Sequence, residues 1–311
     1  MTGYVTTCGG TMYELPVLYE WEMTYTGGVP CDSFSVRCAY EKGMAEVLRQ
    51  AVRFTAKENG STAFYGVVDE YESVCGPEGL WLEINGRGMA ALLLDNEAEP
   101  SNYQWATTGE ILRNHVLPYG IRCQRFDALN GSFYSVESGS SEWRALSDFT
   151  RFYGGFEPYF TKDGTLILQS GRAQARRTLD ERAAVTGLRY RDRRYGVLSE
   201  AVVVDRKTRA RTVVRNEPFA ARGGRRRSIC FVPNSTLWRW KRYTGEYQIA
   251  QSKRDCEQLR VTLMGSYAAD AQDRMSIQSS ALGVTGEFTV SEVTRRLSAA
   301  GEETILTLRR E

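Results

Sequence analysis

The alternation of large apolar and polar side chains constrains this sequence most. Between residues 18 and 25, every second side chain is large and apolar, with Tyr19, Trp21, Met23 and Tyr25 on one face. A strand places alternate side chains on opposite faces, so this pattern predicts a half-buried strand. The pattern returns at residues 34–40, 52–54, 64–68 and 80–84. Five such strands in one run predict an antiparallel β-barrel or sandwich.

Three glycine dipeptides predict tight turns between these strands. They are Gly27-Gly28, Asn59-Gly60 and Asn85-Gly86. Glycine and asparagine accept the positive φ angles that hairpin turns require. Neighbouring strands are therefore expected to run antiparallel.

The pattern changes after residue 100 to one typical of helices. Thr107 and Glu110 form a capping-box pattern in front of the apolar positions of residues 111–116. A second helix is predicted at residues 141–153, with Gly154-Gly155 as its end. A hairpin around Asp163-Gly164 follows, so residues 101–178 are predicted to form a small α+β domain.

The strand pattern returns in the last third of the chain. Strands are predicted at residues 198–204, 212–214, 259–264, 288–293 and 304–308, with a helix at 245–256 and a mobile basic loop at 221–228. The fold class is therefore β-rich α+β. We predict a first β domain at residues 1–100, the α+β insertion at 101–178 and a second β domain at 179–311.

Composition excludes several classes of protein. With 42% hydrophobic and 25% charged residues, the 311-residue chain resembles ordinary folded proteins and not disordered ones. Its net charge of +2 gives no overall field that would attract nucleic acid or an anionic membrane. No segment has the length and apolarity of a membrane span, and no signal peptide is evident, so we expect synthesis in the cytoplasm and no membrane partner.

The cysteines do not predict a metal or disulfide site. The seven cysteines are scattered along the chain without a CxxC spacing. Their odd number does not suit complete disulfide pairing, and their spacing is unlike that of the paired ligands of zinc. We interpret them as reduced core residues. No metal and no cofactor is predicted.

The single histidine limits the catalytic options. Most general-base arrangements at neutral pH use imidazole, so such a site would have to include His115. His115 lies on the apolar side of the first predicted helix, which favours a packed position. Nucleophile-elbow, phosphate-loop, dinucleotide and HExxH motifs are absent from the sequence. We therefore predict no catalytic residues and no enzyme activity.

Two alternatives to a structural role stay open on the sequence alone. Asp95, Glu97 and Glu99 could serve with His115 in a hydrolase acting on cell walls, although a solvated turn explains the same acidic cluster. The aromatic faces of the first strands could instead line the groove of a monomeric ligand-binding β module.

The strongest charge feature is a run of arginines on glycine hinges. It comprises Arg222, Arg225, Arg226 and Arg227 around Gly223-Gly224, and basic and aromatic residues follow at 238–242. Such a mixture could bind single-stranded nucleic acid. We favour a surface loop that becomes ordered when a neighbouring subunit docks, and no specific nucleic acid, because the net charge is near zero. Arg225, Arg226 and Arg227 are thus interface candidates.

Four segments together carry a family resemblance. They are residues 82–99, with the sequence LEINGRGMAALLLDNEAE, and residues 106–121, 155–166 and 288–308. In this order and spacing they resemble baseplate hub proteins of contractile phage tails and phage-tail-like particles, the family that includes the late-control D protein and the hubs of Mu-like phages and Bacillus defective prophages.

The resemblance implies an architecture and a set of partners. It implies two tail-tube-like β-barrels around the α+β insertion, in a homotrimer that joins the hexameric tail tube to the trimeric spike and lines a central channel. The tail tube, spike, baseplate wedge and tape-measure proteins are the implied partners, and the baseplate of a virion or tail-like particle is the implied location. Spike and lysozyme modules are expected on separate proteins.

Four residues of the first segment are candidates for a structural or interface role. We expect Gly86 and Gly88 to serve backbone geometry, with Asn85-Gly86 as a turn. We expect Arg87 to form a buried or intersubunit ion pair.

Overall fold

The computed structural model describes residues 1–26, 31–77, 79–172, 174–179, 184–205, 208–232, 238–254 and 256–310. The chain divides into two compact units. Unit 1 consists of Met1–Ala175, Met264–Ala271 and Glu292–Thr304, and unit 2 consists of Arg176–Leu263, Gln272–Ser291 and Ile305–Glu311. The three-part division at residues 100 and 178 stays a prediction. None of the described helices is long and apolar enough to cross a membrane.

The described part of the first 175 residues contains twelve strands and four α-helices. The strands are β1 (Thr2–Thr7), β2 (Met12–Glu14), β3 (Leu18–Thr26), β4 (Ser33–Ala39), β5 (Ala51–Glu58), β6 (Ser61–Gly76), β7 (Gly79–Gly88), β8 (Ser101–Thr107), β9 (Cys123–Phe126), β10 (Asn130–Val136), β11 (Tyr159–Phe160) and β12 (Leu166–Leu168). The helices are α1 (Met44–Gln50), α2 (Ala91–Leu94), α3 (Thr108–His115) and α4 (Glu142–Gly154), with a 3₁₀ turn at Leu117–Tyr119.

Beyond residue 175, the described residues contain nine strands and two helices. They are β13 (Arg176–Leu179), β14 (Val185–Asp192), β15 (Glu200–Asp205), β16 (Arg211–Arg215), α5 (Glu217–Ala221), β17 (Arg227–Val232), α6 (Trp238–Lys253), β18 (Glu257–Met264), β19 (Arg274–Ser279), β20 (Val284–Ser298) and β21 (Gly301–Arg309).

The main sheet of unit 1 is antiparallel. Its strand order is β20, β3, β4, β7, β6, β5, β1 and β2, and residues 292–297 of β20 form the pairing with β3. The order ends at β2, a three-residue strand with every side chain exposed. Among the described residues the path does not return to its start, so the predicted closed barrel is wrong and the sheet is open.

The predicted strands of this sheet are confirmed, with one correction to the buried face. Trp21, Met23 and Tyr25 are buried as their alternation predicts, but Tyr19 is 44% exposed and Leu18 is buried instead. The register between β3 and β4 shifts between Leu18 and Glu20, and this bulge reverses the alternation at the start of the strand.

Aromatic rings and a helical layer form the cores of unit 1. Phe34 stacks on Phe54 with ring centroids 4.2 Å apart, and Phe64 packs against Phe34 at 5.2 Å. A second cluster lies among α2, α3, α4, β8, β10 and β12, with Leu93, Ile111, Leu146, Phe149 and Leu166 fully buried. This second cluster is the α+β part that the helical pattern predicted.

The local signals for helices and turns are mostly confirmed. Thr107 caps α3 with Glu110 in a capping box, and Gly155 ends α4 at a φ of 73°. Asn59-Gly60 is a turn with positive φ at both residues. Gly164, with a φ of 76°, lies between the paired strands β11 and β12. Gly27-Gly28 lies outside the described residues.

Unit 2 contains a three-stranded sheet and a helix packed on it. The strand order is β16, β15 and β17, with β16 antiparallel and β17 parallel to β15. Gly245 of α6 lies so close to Val203 and Val214 that a Cβ atom would meet their side chains at 3.1 and 2.8 Å. Separately, β18 pairs with β14, and β19 pairs with β13 and with residues 284–289 of β20.

The cysteines are free thiols, but only one of them is a core residue. Cys38 is buried, Cys8 and Cys75 are exposed, and the other four are intermediate. The prediction of core positions is therefore wrong for most of them. The exposed Cys8 and Cys75 lie in a turn and at the end of a strand, where a small residue need not be covered.

Candidate functional site

Asn85, Gly86, Arg87 and Gly88 form the last residues of β7, in the interior of the unit 1 sheet. Asn85 pairs with Ser35 of β4 and with Glu70 of β6. The predicted turn at Asn85-Gly86 is therefore wrong, because strands on both sides hold this segment extended. The Asn85 side chain donates from Nδ2 to the carboxylates of Glu70 and Glu83 at 3.2 and 3.3 Å.

The two glycines of this segment lie where neighbouring atoms leave no room for a side chain. A Cβ on Gly86 would lie 2.0 Å from the carbonyl oxygen of Val67 and 2.6 Å from the Phe34 ring. A Cβ on Gly88 would lie 3.2 Å from that of Asp32. On the facing strand, a Cβ on Gly66 would lie 2.1 Å from the Arg87 carbonyl oxygen. The prediction that Gly86 serves backbone geometry thus has a direct steric basis.

Arg87 is clamped between two carboxylates of its own chain. Its Nε and Nη2 donate to Asp69 at 2.6 and 2.9 Å, and its Nη1 and Nη2 donate to Asp95 at 2.9 and 2.7 Å. Two bidentate pairs fix the plane of the guanidinium. Its side chain is 35% exposed, so the ion pairs lie at the surface and not in the core.

These contacts shift the pKa values of the partners in opposite directions. Hydrogen bonds from Arg87 lower the pKa of the Asp95 carboxyl, and those to Asp69 and Asp95 raise the pKa of the guanidinium. Arg87 and Asp95 therefore stay ionised at neutral pH. The cluster joins strands β6 and β7 to the residue that follows α2.

The arginines of the basic segment lie in unit 2 and have separate contacts. Arg225 donates from Nη1 to the carbonyl oxygens of Ala220 and Gly224, at 3.2 and 2.9 Å. The Arg226 guanidinium lies 5.6 Å from the centre of the Tyr195 ring. Arg227 donates from Nε to Glu200 at 2.5 Å.

The boundaries of the predicted basic loop need correction. Ala221 is the last residue of α5, while Arg227 and Ser228 belong to β17, so the connecting segment is residues 222–226. Because Arg227 pairs with Glu200 of β15, β17 already begins at Arg227, a residue of the predicted basic loop. The backbone of residues 238–242 forms the first part of α6.

His115 is buried in a hydrogen-bonded network. Its Nδ1 lies 2.6 Å from Oε2 of Glu142, and its Nε2 lies 3.0 Å from the hydroxyl of Tyr103. Tyr119 donates to the other oxygen of Glu142 at 2.9 Å. His115 is 3% exposed, which confirms the packed position. The network links α3 to the first turn of α4, and Glu142 is a partner that its sequence context does not reveal.

The acidic cluster is divided among separate structural contacts. Asp95 binds Arg87, and Glu97 accepts a hydrogen bond from the backbone N–H of Gly139 at 2.8 Å. Both ring nitrogens of His115 are engaged elsewhere. The geometry therefore does not assemble the hydrolase arrangement from these groups.

A cavity of about 370 Å³ in unit 1 brings together charged residues that sequence reasoning did not identify. Tyr25, Asp32, Tyr159, Lys162 and Asp270 are among its lining residues. Burial raises the pKa of Asp32 to about 6, although Thr26 donates hydrogen bonds to its Oδ1 from the backbone N–H at 2.8 Å and from the hydroxyl at 3.3 Å. Among the described residues no group of three or more His, Cys, Asp or Glu residues could hold a metal ion.

Two solved structures of tail proteins have the same architecture. A tail protein of Neisseria meningitidis superimposes with a TM-score of 0.80 at 17% identity, over 100% of this chain and 96% of that one. The 43 kDa tail protein of prophage MuSo2 from Shewanella oneidensis gives 0.80 at 14% identity, over 100% and 98%. This chain has the fold of phage tail proteins.

More distant likenesses extend the same fold. A prophage tail protein of Listeria monocytogenes gives a TM-score of 0.62 at 10% identity, over 99% of this chain and 94% of that one. A type VI secretion component of E. coli, described as structurally similar to bacteriophage T4 tail proteins gp27 and gp5, gives 0.56 at 12% identity, over 96% and 74%. No family model and no curated protein sequence matches this chain.

Proposed function

We propose that this protein is a structural component of a contractile tail or tail-like particle, and that it acts as the trimeric baseplate hub between the tail tube and the spike. The observation that carries the proposal is the tail-protein fold over the whole chain, with a TM-score of 0.80 to two phage tail proteins. The hub segments at residues 82–99, 106–121, 155–166 and 288–308 support the finer role, since they resemble hub proteins in the same order.

The proposed role is a task of symmetry and needs no catalytic group. A trimer in which each chain supplies two β-rich parts can present six similar faces to a hexameric tube and three to a spike. In this proposal the two β parts flank the α+β insertion at residues 101–178. The partners are further copies of the chain and the tail tube, spike, wedge and tape-measure proteins, and the location is the baseplate of the particle.

The interface candidates acquire different roles in this proposal. Arg87 is saturated by Asp69 and Asp95 of its own chain, so it shapes the surface that a neighbour meets. Arg225 and Arg226 are exposed and present their charge outward.

The test is reconstitution with the tail tube and spike proteins of the same particle. We expect light scattering to give the mass of three copies bound to one trimeric spike, and a reconstruction of the particle to place the chain between tube and spike. A particle with another protein in that position would overturn the hub role while leaving the tail-protein fold untouched. If an Arg87→Ala variant assembled normally, Arg87 would have no part in the interface.

A further inference from the structure

The three-stranded sheet of unit 2 has one face covered by α6 and a second face of different character. Ala201 and Val203 of β15 and Val214 of β16 lie on the α6 side. Because side chains alternate along a strand, Val202 and Val204 lie on the opposite face. Register places three further apolar residues beside them, since Val213 and Ile229 flank Val202 and Phe231 flanks Val204.

The edge strands of this opposite face are apolar and accessible. Val213, Ile229 and Phe231 are 50%, 50% and 51% exposed, whereas Val202 and Val204 between them are buried, at 3% and 7%. We call these five residues the open face. Single exposed apolar side chains need no explanation, but three brought onto one face by strand pairing form a patch.

The rim of the open face is strongly cationic. Residues 209–227 contain seven arginines and one glutamate, and strand register places three of these arginines, Arg211, Arg215 and Arg227, on the open face. Arg211, on the same face by register, is exposed, and Arg215 and Arg227 share a single carboxylate, Glu200, at 3.5 and 2.5 Å. Both of those guanidinium side chains are 63% exposed. One carboxylate cannot neutralise two guanidinium groups, so a positive surplus remains beside the apolar patch.

We infer that the open face docks an acidic amphipathic helix of a partner protein. A helix presents an apolar stripe with charged residues along its flanks, which matches an apolar strip bordered by arginines. Charge complementarity assigns acidic flanks to the partner, because a basic helix would meet the arginine rim. Nucleic acid fits less well, because the aliphatic Val213 and Ile229 offer no ring on which bases stack.

The inference can be tested on the purified full-length chain with synthetic peptides. The probe is a fluorescein-labelled 18-residue helical peptide with leucines along one face and glutamates on the other, and its matched control replaces every glutamate by lysine. We expect fluorescence anisotropy to give a dissociation constant below ~1 mM for the acidic peptide. The lysine peptide should bind at least ~10-fold more weakly, and added salt should weaken the acidic complex.

Substitutions separate the apolar and the charged contributions. The combined variant Val213→Thr, Ile229→Thr and Phe231→Thr keeps strand-forming residues at exposed positions and should raise the dissociation constant ~10-fold or more. Arg211→Gln with Arg215→Gln should weaken binding and its salt dependence while leaving Arg227 paired with Glu200. Val185→Thr, at a valine of β14 that is 37% exposed, is the matched control and should change nothing. Unaltered circular dichroism melting curves establish that the variants are folded.

Several results would overturn the inference. They are no binding of the acidic peptide below ~1 mM, equal binding of the lysine peptide, and unchanged binding by the triple threonine variant. Tighter binding of a mixed-sequence single-stranded DNA, lost in the arginine variant, would assign the face to nucleic acid. Self-association of the chain in sedimentation, abolished by the triple threonine variant, would assign it to a second copy.

Discussion

The residue scale is where the sequence is least informative about the candidate site. Arg87 was expected to form an ion pair, and its partners could not be predicted, because Asp69 lies on the neighbouring strand and Asp95 follows a short helix. Pairing depends on the register of β6 with β7, which contains a shift between Val68 and Glu70. A local pattern does not encode such a shift.

The Arg87 clamp makes a prediction about stability and pH. We expect Arg87→Gln to lower the free energy of unfolding by about 1–2 kcal/mol, as measured by urea denaturation, because two bidentate pairs exceed an ordinary surface ion pair. The folded-state pKa of Asp95 is lowered, so this part of the stability is complete above about pH 4 and is lost as the pH falls through the folded-state value. Plots of the free energy of unfolding against pH for the wild type and the variant should therefore converge at low pH.

The matched control for the clamp is Arg49→Gln. Arg49 pairs with a single carboxylate, Glu46, in a helix where both side chains are more than 60% exposed. Its loss should cost no more than about 0.5 kcal/mol. Equal effects of the two substitutions, or curves for Arg87→Gln that stay apart at low pH, would contradict the structural account.

Asp32 makes a prediction of the opposite sign. Its folded-state pKa is raised to about 6, so the folded chain binds the proton more strongly than the unfolded chain. Its contribution to stability is complete below about pH 4 and is lost as the pH rises through about 6. Asp32→Asn keeps an oxygen for Thr26 and removes the titration, so we expect it to stabilise the protein at pH 8 by on the order of 1–2 kcal/mol. Because Asp32 is partly accessible to solvent, this stabilisation should be smaller than the free energy that corresponds to its whole pKa shift.

Denaturation at pH 4 and pH 8 measures this effect. The difference between Asp32→Asn and wild type should shrink towards zero at the lower pH. Gln104→Ser, at an exposed position of the same unit, exchanges two uncharged side chains and serves as the control. A destabilised Asp32→Asn at pH 8 would mean that the ionised carboxylate is held by its surroundings and not penalised by burial.

At the scale of elements, much of the fold could be predicted and the exceptions have physical causes. Strands β3 to β7 and helices α3 and α4 follow from periodicity and capping signals, which are local. The Asn85-Gly86 turn was wrong because the same dipeptide suits a hairpin and a strand position without room for a Cβ. The neighbouring strands decide whether the dipeptide forms a turn or stays extended, and the sequence around the dipeptide does not say where those strands lie.

Gly86 gives this point a measurable form. Gly86→Ala would place a Cβ 2.0 Å from the Val67 carbonyl oxygen, so the pairing of β6 with β7 must distort. We expect a loss of more than about 2 kcal/mol in the free energy of unfolding, measured in urea. Gly76→Ala, in the same pair of strands but with no atom within 4 Å of its Cβ, should change it by less than about 0.5 kcal/mol. Similar losses at both positions would contradict the steric explanation.

At the scale of the whole molecule, the end of the chain contributes strands to both compact units. The closing strands were predicted at residues 288–293 and 304–308, and both lie in β20 and β21. Residues 284–289 of β20 pair with β19, whereas residues 292–297 pair with β3 near the start of the sequence. A pairing between strands more than 260 residues apart leaves no signature in a local sequence pattern. The sequence alone therefore does not predict that part of β20 belongs to unit 1.

The long strand β20 therefore makes the last prediction. A chain truncated after residue 283 lacks one of the two strands that pair with β3 in unit 1, and one of the two that pair with β19 in unit 2. We expect hydrogen exchange to show lost protection of residues 18–26 and 274–279, because an unpaired strand edge exposes its backbone donors. Strands β5 and β6, which pair with each other, should keep more of their protection than β3 does. If residues 18–26 stayed as protected as in the full chain, the pairing of β3 with β20 would not contribute to the stability of unit 1, and the first β part would be an independent domain.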